Sequence, residues 1–94
     1  MRVRWLRKAL ENLDSEAEYI AKDNPSAAEH VVTAIIEATE RLRNYPGMGR
    51  AGRVLGTREL VISGTPYILP YRVRGDVIEI LRVFHGARKW PDRY

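Results

Sequence analysis

Arginines alternate with strand-forming apolar residues through the second half of this chain, in Tyr71-Arg72-Val73-Arg74 and again from Ile78 to Arg88. A guanidinium is costly to bury alone and binds carboxylate or phosphate with a fixed fork of donors. Its repeated use among core-building residues therefore predicts a cationic working surface. His85 ends the second run, close before Arg88. A histidine beside an arginine at a sheet margin has the parts of a general acid–base pair for RNA 2′-hydroxyl attack. The plainer role is a ring that packs and bonds to backbone, and no second titratable group stands in register to oppose that role. Arg50 and Arg53 flank Ala51-Gly52 in a glycine-rich connection and are either phosphate ligands or solvated loop charges. Trp90, Tyr94, Tyr67 and Tyr71 offer rings that stack on unpaired bases or, more simply, cap a small core, with Trp90-Pro91 as a plug at one end of the sheet.

Strand alternation assigns faces to these residues. Arg72 falls with Ile68 and Pro70, Arg82 with Ile78, Ile80 and Phe84, and His85 with Val77, Glu79, Leu81 and Val83. An arginine among large apolar residues needs an anionic partner. Glu59 and Glu79 are internal candidates, and a second molecule is the other. The spacing G-x-G-x-x-G occurs at Gly47 to Gly52, but a helical pattern precedes it and a strand pattern follows. A pyrophosphate site needs the reverse order, so the segment reads as a flexible basic connection. His30 lies mid-helix, off the apolar stripe, and reads as surface. Paired carboxylates for glycoside chemistry, a serine triad and metal-ligand spacings are absent, and neither metal nor cofactor is expected.

The elements that must position these groups follow from periodicity. Val3 to Leu6 form a short strand running into a helix whose stripe is Leu6, Leu10, Leu13, Ala17 and Ile20, with Glu11, Asp14, Glu16 and Glu18 on its other faces. That helix ends near Asp23. Asn24-Pro25 opens a second, with Asn as cap and proline at the first helical position; its stripe is Ala28, Val31, Val32, Ile35, Thr39 and Leu42, and it closes near Asn44. So short a link predicts an αα-hairpin. Strands follow over Arg58 to Ser63, Tyr67 to Val73 and Asp76 to His85, joined by the turn segments Gly64-Thr65-Pro66 and Arg74-Gly75-Asp76. Pro70 removes a ladder donor from the middle strand, which calls for a bulge or an unpaired edge. The order β-α-α-β-β-β is an α+β solution, a helical hairpin on one face of a twisted, mainly antiparallel sheet. The sheet's other face, with no covering elements of its own, is where the chain is expected to work.

Size and charge agree with that picture. Ninety-four residues suit a single domain, residues 1–94, with one two-layer core. Residues 1–45 hold seven basic and eight acidic side chains, and residues 46–94 hold nine and four, so the net +4 arises entirely in the second half. An anionic partner is the first expectation. There is no cysteine, which excludes disulfides and thiol chemistry. The basic N-terminus lacks a signal peptide's apolar region and no segment is long enough to span a bilayer, so a cytoplasmic protein without membrane attachment is expected.

These residues together resemble a toxin of the bacterial RelE/ParE superfamily. The matching pieces are Val3-Arg4-Trp5, Tyr19-Ile20, Asn24-Pro25, Tyr45-Pro46, Gly49-Arg50, Gly56-Thr57-Arg58-Glu59-Leu60, Tyr67-Ile68, Tyr71-Arg72-Val73 and Ile80 to Arg88, covering nearly the whole chain. The resemblance implies a toxin of a type II toxin–antitoxin module, bound as a hetero-oligomer by a cognate antitoxin whose partly disordered, often acidic segment folds on it. RelE-like members enter the ribosome and cleave mRNA without a metal; ParE-like members inhibit DNA gyrase. RelE-like cleavers carry an arginine early on the middle strand, where this chain has Ile68, while Arg88 matches their second important arginine. The expected function is therefore ParE-like gyrase inhibition, with Arg50, Arg53, Arg82, Arg88 and Trp90 as binding residues. The alternative is an mRNA interferase in which Arg72 and Arg88 stabilise phosphate charge and His85 moves a proton.

Overall fold

The structure, a computed structural model, describes residues 1–94. Its elements run β1 (Arg2–Trp5), α1 (Arg7–Asp23), α2 (Pro25–Arg41), β2 (Arg50–Ala51), β3 (Arg58–Val61), β4 (Tyr67–Arg74), β5 (Val77–Ile80) and β6 (Phe84–His85). Asn24 is the joint of the helical hairpin. Its N–H donates to the Ile20 carbonyl to close α1, and its Oδ1 accepts from the Ala27 N–H at 3.1 Å to open α2. Pro25 then costs α2 nothing, because a first-turn N–H has no intrahelical partner to lose. The last turn of α2 gives way to a connection pinned by Tyr71, whose buried hydroxyl accepts from the Gly49 N–H and donates to the Pro46 carbonyl, both at 2.8 Å. Gly49 lets this happen: a Cβ there would lie 2.6 Å from the Tyr71 ring and 2.9 Å from the Glu59 carbonyl.

The strands form one sheet in the order β1-β5-β4-β3-β2, with β6 also on β4. Only β1 with β5 is parallel, as the long return through the hairpin requires; every other pairing is antiparallel. The expected fold is present, with two short additions. Arg50–Ala51 extends the edge beyond β3, and the strand expected from Asp76 to His85 is divided.

The division has a register cause. Tyr71 faces Ile80 and Ile68 faces Phe84, so β4 advances three residues while its partner advances four. One extra residue is accommodated within Leu81-Arg82-Val83, a bulge. Pro70 sits beside it. The Pro70 carbonyl accepts from the Leu81 N–H at 2.9 Å, so its ring nitrogen faces the same side, and the missing donor falls where the ladder is already interrupted.

The bulge also reverses alternation. Upstream, Ile78 and Ile80 point into the helix-facing core; downstream, Val83 does, and His85 stands opposite core residue Tyr67. Phe84 moves to the outer face with Ile68, Pro70 and Arg72. Arg82 keeps the expected neighbour Phe84, but the expectation that both share a face with Ile78 and Ile80, and that His85 shares one with Glu79, is corrected here, because uninterrupted alternation does not survive an inserted residue.

The core lies between hairpin and sheet. Ala9, Ile35, Ala38 and Leu42 from the hairpin side meet Leu60, Ile62, Leu69, Tyr71, Ile78 and Ile80 from the sheet. Leu10, expected on the inner stripe, is 47% exposed, while Ala9 is fully buried in its place. The small side chain lets α1 lie close to the sheet and rotates Leu10 to the margin.

Candidate functional site

The outer face of the sheet is not left bare. The tail after β6 folds back across it, and a run of rings holds it there. The Arg53 guanidinium lies 3.6 Å over the Trp90 ring, Trp90 packs on Phe84 at 4.8 Å between centroids, and Phe84 meets Tyr94 at 5.7 Å. The Trp90 indole N–H donates to the His85 carbonyl at 3.1 Å. Trp90 is 8% exposed and its donor is used, so it acts as the plug and presents no free face for a base. The Tyr94 hydroxyl is buried without a hydrogen-bond partner, and burial chiefly pushes its pKa up.

Two buried carboxylates organise the arginines. Glu59, 2% exposed on β3, accepts from Arg50 Nε and Nη2 at 3.2 and 3.0 Å through Oε1, and from the Arg53 N–H at 3.0 Å through Oε2. Arg53 Nε lies 3.5 Å from the same Oε2. Glu79, on β5, accepts from Arg72 Nε at 2.7 Å, and Arg74 Nη1 is 3.6 Å away. The Arg72 hydrogen bond leads the causes that hold the Glu79 carboxyl below its usual range, with the charges of Arg72, Arg74 and Arg4 adding to it. Both carboxylates belong on the outer face and need cations to be buried at all. Of the two sources of an anionic partner open from the sequence, the internal one is taken: Glu59 and Glu79 engage these four arginines. The expectation of unpaired guanidinium groups is corrected, while the four side chains stay 37–65% exposed. The positive excess survives, because each carboxylate is shared by two arginines.

Arg82 emerges from the bulge. Its Nε donates to Asn12 Oδ1 at 2.8 Å, an oxygen that also takes the Val83 N–H at 3.1 Å, and its guanidinium lies 4.7 Å over the Phe84 ring. Asn12 thus satisfies the backbone where the ladder breaks. Arg88 Nη1 donates to Glu16 Oε2 at 2.8 Å, while Tyr67 donates its hydroxyl to Glu16 Oε1 at 2.9 Å. Burial, then the Glu16 hydrogen bond, pushes the Tyr67 phenol up to about 12. The edge of the Tyr67–His85 ring pair completes this cluster at 5.7 Å, and His85 Nδ1 accepts from the Ala87 N–H at 3.2 Å.

The structure therefore brings His85, Arg88, Tyr67 and Glu16 together at the helix side of one sheet end. Arg72 is not with them. It points to the opposite face, five residues along β4 from Tyr67, or ~17 Å at the strand rise. Sequence reasoning placed Glu16 among solvent-facing residues and passed over Asn12. Both flank the apolar stripe of α1, and that border position was the available signal.

Residues 3–90 match the family described as the ParE toxin of type II toxin-antitoxin system, parDE. The chain belongs to the ParE toxin family. It is 50% identical over 90 residues to the "Putative toxin Y4kP" of Sinorhizobium fredii (strain NBRC 101917 / NGR234), covering 96% of this chain and 93% of that one. It is 33% identical over 84 residues to "Toxin RelE2" of Caulobacter vibrioides, covering 89% and 93%. Among solved structures it resembles a chain of the "Chromosomal ParDE TA system from P. aeruginosa", with a TM-score of 0.81 and 34% identity over 90% of this chain and 95% of that one. This ParE-family chain is thus a toxin of a type II toxin–antitoxin system within the RelE/ParE superfamily, and membership implies a cognate antitoxin as partner. No helix is long and apolar enough to cross a membrane.

Proposed function

We propose that this ParE-family toxin acts in the cytoplasm by binding and inhibiting DNA gyrase, and is neutralised when an acidic, partly disordered antitoxin segment folds over its basic half. The observation that supports this reading over cleavage is the separation of Arg72 from the rest of the cleaving set, His85 and Arg88, which lie together at the other end of β4. A proton-transfer group and a phosphate-stabilising cation must converge on one scissile bond within hydrogen-bond reach. His85 faces the hairpin, Arg72 faces away, and the Arg88 guanidinium is engaged by Glu16. Ile68, at the position where cleaving relatives carry arginine, lies beside Phe84 and Gly86 in an apolar setting. Arg88 and the exposed rim of the tail are the proposed gyrase contacts, with Arg50 and Arg53 as flanking charge. Purified toxin added to a gyrase supercoiling reaction is expected to abolish supercoiling, and prior addition of antitoxin to restore it. Full supercoiling at toxin concentrations that stop growth sinks the proposal.

A second reading is favoured by the kinship with Toxin RelE2. In it the chain is a ribosome-dependent mRNA endonuclease, with His85 moving the proton and Arg72 and Arg88 carrying phosphate charge. Primer extension on message from an arrested translation reaction separates the two: discrete new 5′ ends support cleavage, and intact message under arrest excludes it.

A further inference from the structure

The tail seals one end of the outer face and leaves the other open. There a cavity of about 730 Å³ lies between the start of α1, the loop from β2 to β3, the far end of β4 and the last residues of the tail. Its charge is lopsided: Arg7, Lys8, Arg72, Arg74 and Arg93 line it against the single acid Asp92. Glu79 beneath accepts from only one nitrogen of Arg72 and stands 3.6 Å from Arg74. A guanidinium has five N–H donors, so most donors of Arg72 and Arg74, both of which line the cavity, have no acceptor within the chain. The rest of the wall is apolar, with Leu6, Val54, Leu81 and Tyr94 among its residues.

These features select a ligand class. Paired guanidinium groups with spare donors match phosphate oxygens. The volume lies within the range of small-molecule sites, well above what a bare phosphate fills, and the apolar wall rewards a ligand with a ring. The other two cavities lack this combination. The groove along the hairpin carries Glu18 and Glu29, and the smaller pocket beside Glu59 is occupied by an ion pair already closed.

We propose that this cavity binds a phosphorylated small molecule of nucleotide size, with its phosphates on Arg72 and Arg74 and its ring against Leu81 and Tyr94. Arg93 from the tail and Lys8 from α1, whose Nζ donates to the Tyr94 main-chain oxygen at 3.3 Å, close the site. The proposal is independent of the toxin's target, and its test uses the full chain without gyrase or ribosome. Isothermal titration with ADP is expected to show one site of sub-millimolar affinity, with pyrophosphate weaker by about ten-fold or more because it leaves the apolar wall empty. The Arg74→Gln/Arg93→Gln double variant is expected to lose at least about ten-fold in ADP affinity, and Lys22→Gln, at the far end of α1, to lose none. Thermal melts establish that the variants fold. On the unaltered chain, ADP is expected to shift the methyl resonances of Leu81 and Val54 and leave those of Val31 in place. Absence of ADP binding at millimolar concentration, equal affinity for pyrophosphate, undiminished affinity in the double variant, or shifts confined to other methyls each overturns the proposal.

Discussion

Glu59 and Glu40 both pair with arginine, yet replacing them should have unequal consequences. Glu59 is almost wholly buried and bonds two arginine side chains and a backbone N–H, whereas Glu40 meets Arg43 at the surface. Glu59→Gln removes the charge that those donors oppose, and a cost of roughly 1–3 kcal/mol is expected in urea denaturation. Glu40→Gln should stay within about 0.5 kcal/mol, as exposed pairs do. Titration gives a second residue-scale test. Tyr67 binds its proton more tightly in the folded chain, so its contribution is complete below the ordinary phenol value near 10 and is lost as pH rises toward about 12. Tyr67→Phe should flatten that alkaline loss, read as the pH dependence of the urea midpoint. Glu79 has the opposite sign. Its depressed carboxyl contributes above the ordinary carboxylate range and loses its contribution as pH falls through the lowered value, so Glu79→Gln should diminish the acid limb of the same curve.

At the scale of elements, the tail leaves the sheet after the Gly86 N–H bond to the Pro66 carbonyl. It is held by the ring contacts, the Trp90 indole bond, the Arg88–Glu16 ion pair and the Lys8 contact with Tyr94. Trp90→Ala should release it. Truncating a buried tryptophan costs roughly 3 kcal/mol, and here the loss should be local. Amide exchange should quicken over residues 86–94, and trypsin should cut at Arg88 and Lys89 while β3, β4 and the hairpin stay protected. Uniform loss of protection throughout the chain would mean that the tail belongs to the core. The split of β5 from β6 is the other element-scale feature, since the bulge decides that His85 turns toward Tyr67 and away from Arg72.

At the scale of the molecule, positive charge remains in excess after internal pairing, and it is concentrated in the half that supplies the sheet's arginines. Long-range attraction to an acidic antitoxin should raise the association rate and be screened by salt. Stopped-flow association is expected to slow by about ten-fold or more from low to high ionic strength, with a smaller change in dissociation. A rate indifferent to salt would show that the charge asymmetry does not steer the partner.

Much of this architecture was legible along the chain. Periodicity gave the hairpin, the Asn24-Pro25 boundary and three of the strands, because i to i+4 and i to i+2 patterns are local consequences of burying one face. Net charge by halves, and the carboxylates Glu59 and Glu79 as possible internal partners, were also readable, since composition and residue type need no coordinates. Alternation along β4 already grouped Arg72 with Ile68 and Pro70, but tertiary structure alone decided the faces beyond the bulge. A one-residue bulge opposite Pro70 inverted everything after Leu81, and the return of the tail covered a surface that local pattern left open. Both depend on which segments meet across long sequence separations, and periodicity carries no information about that. Glu16 and Asn12 acquired their roles in the same way, through contacts with β4, the bulge and the tail that only the closed fold creates.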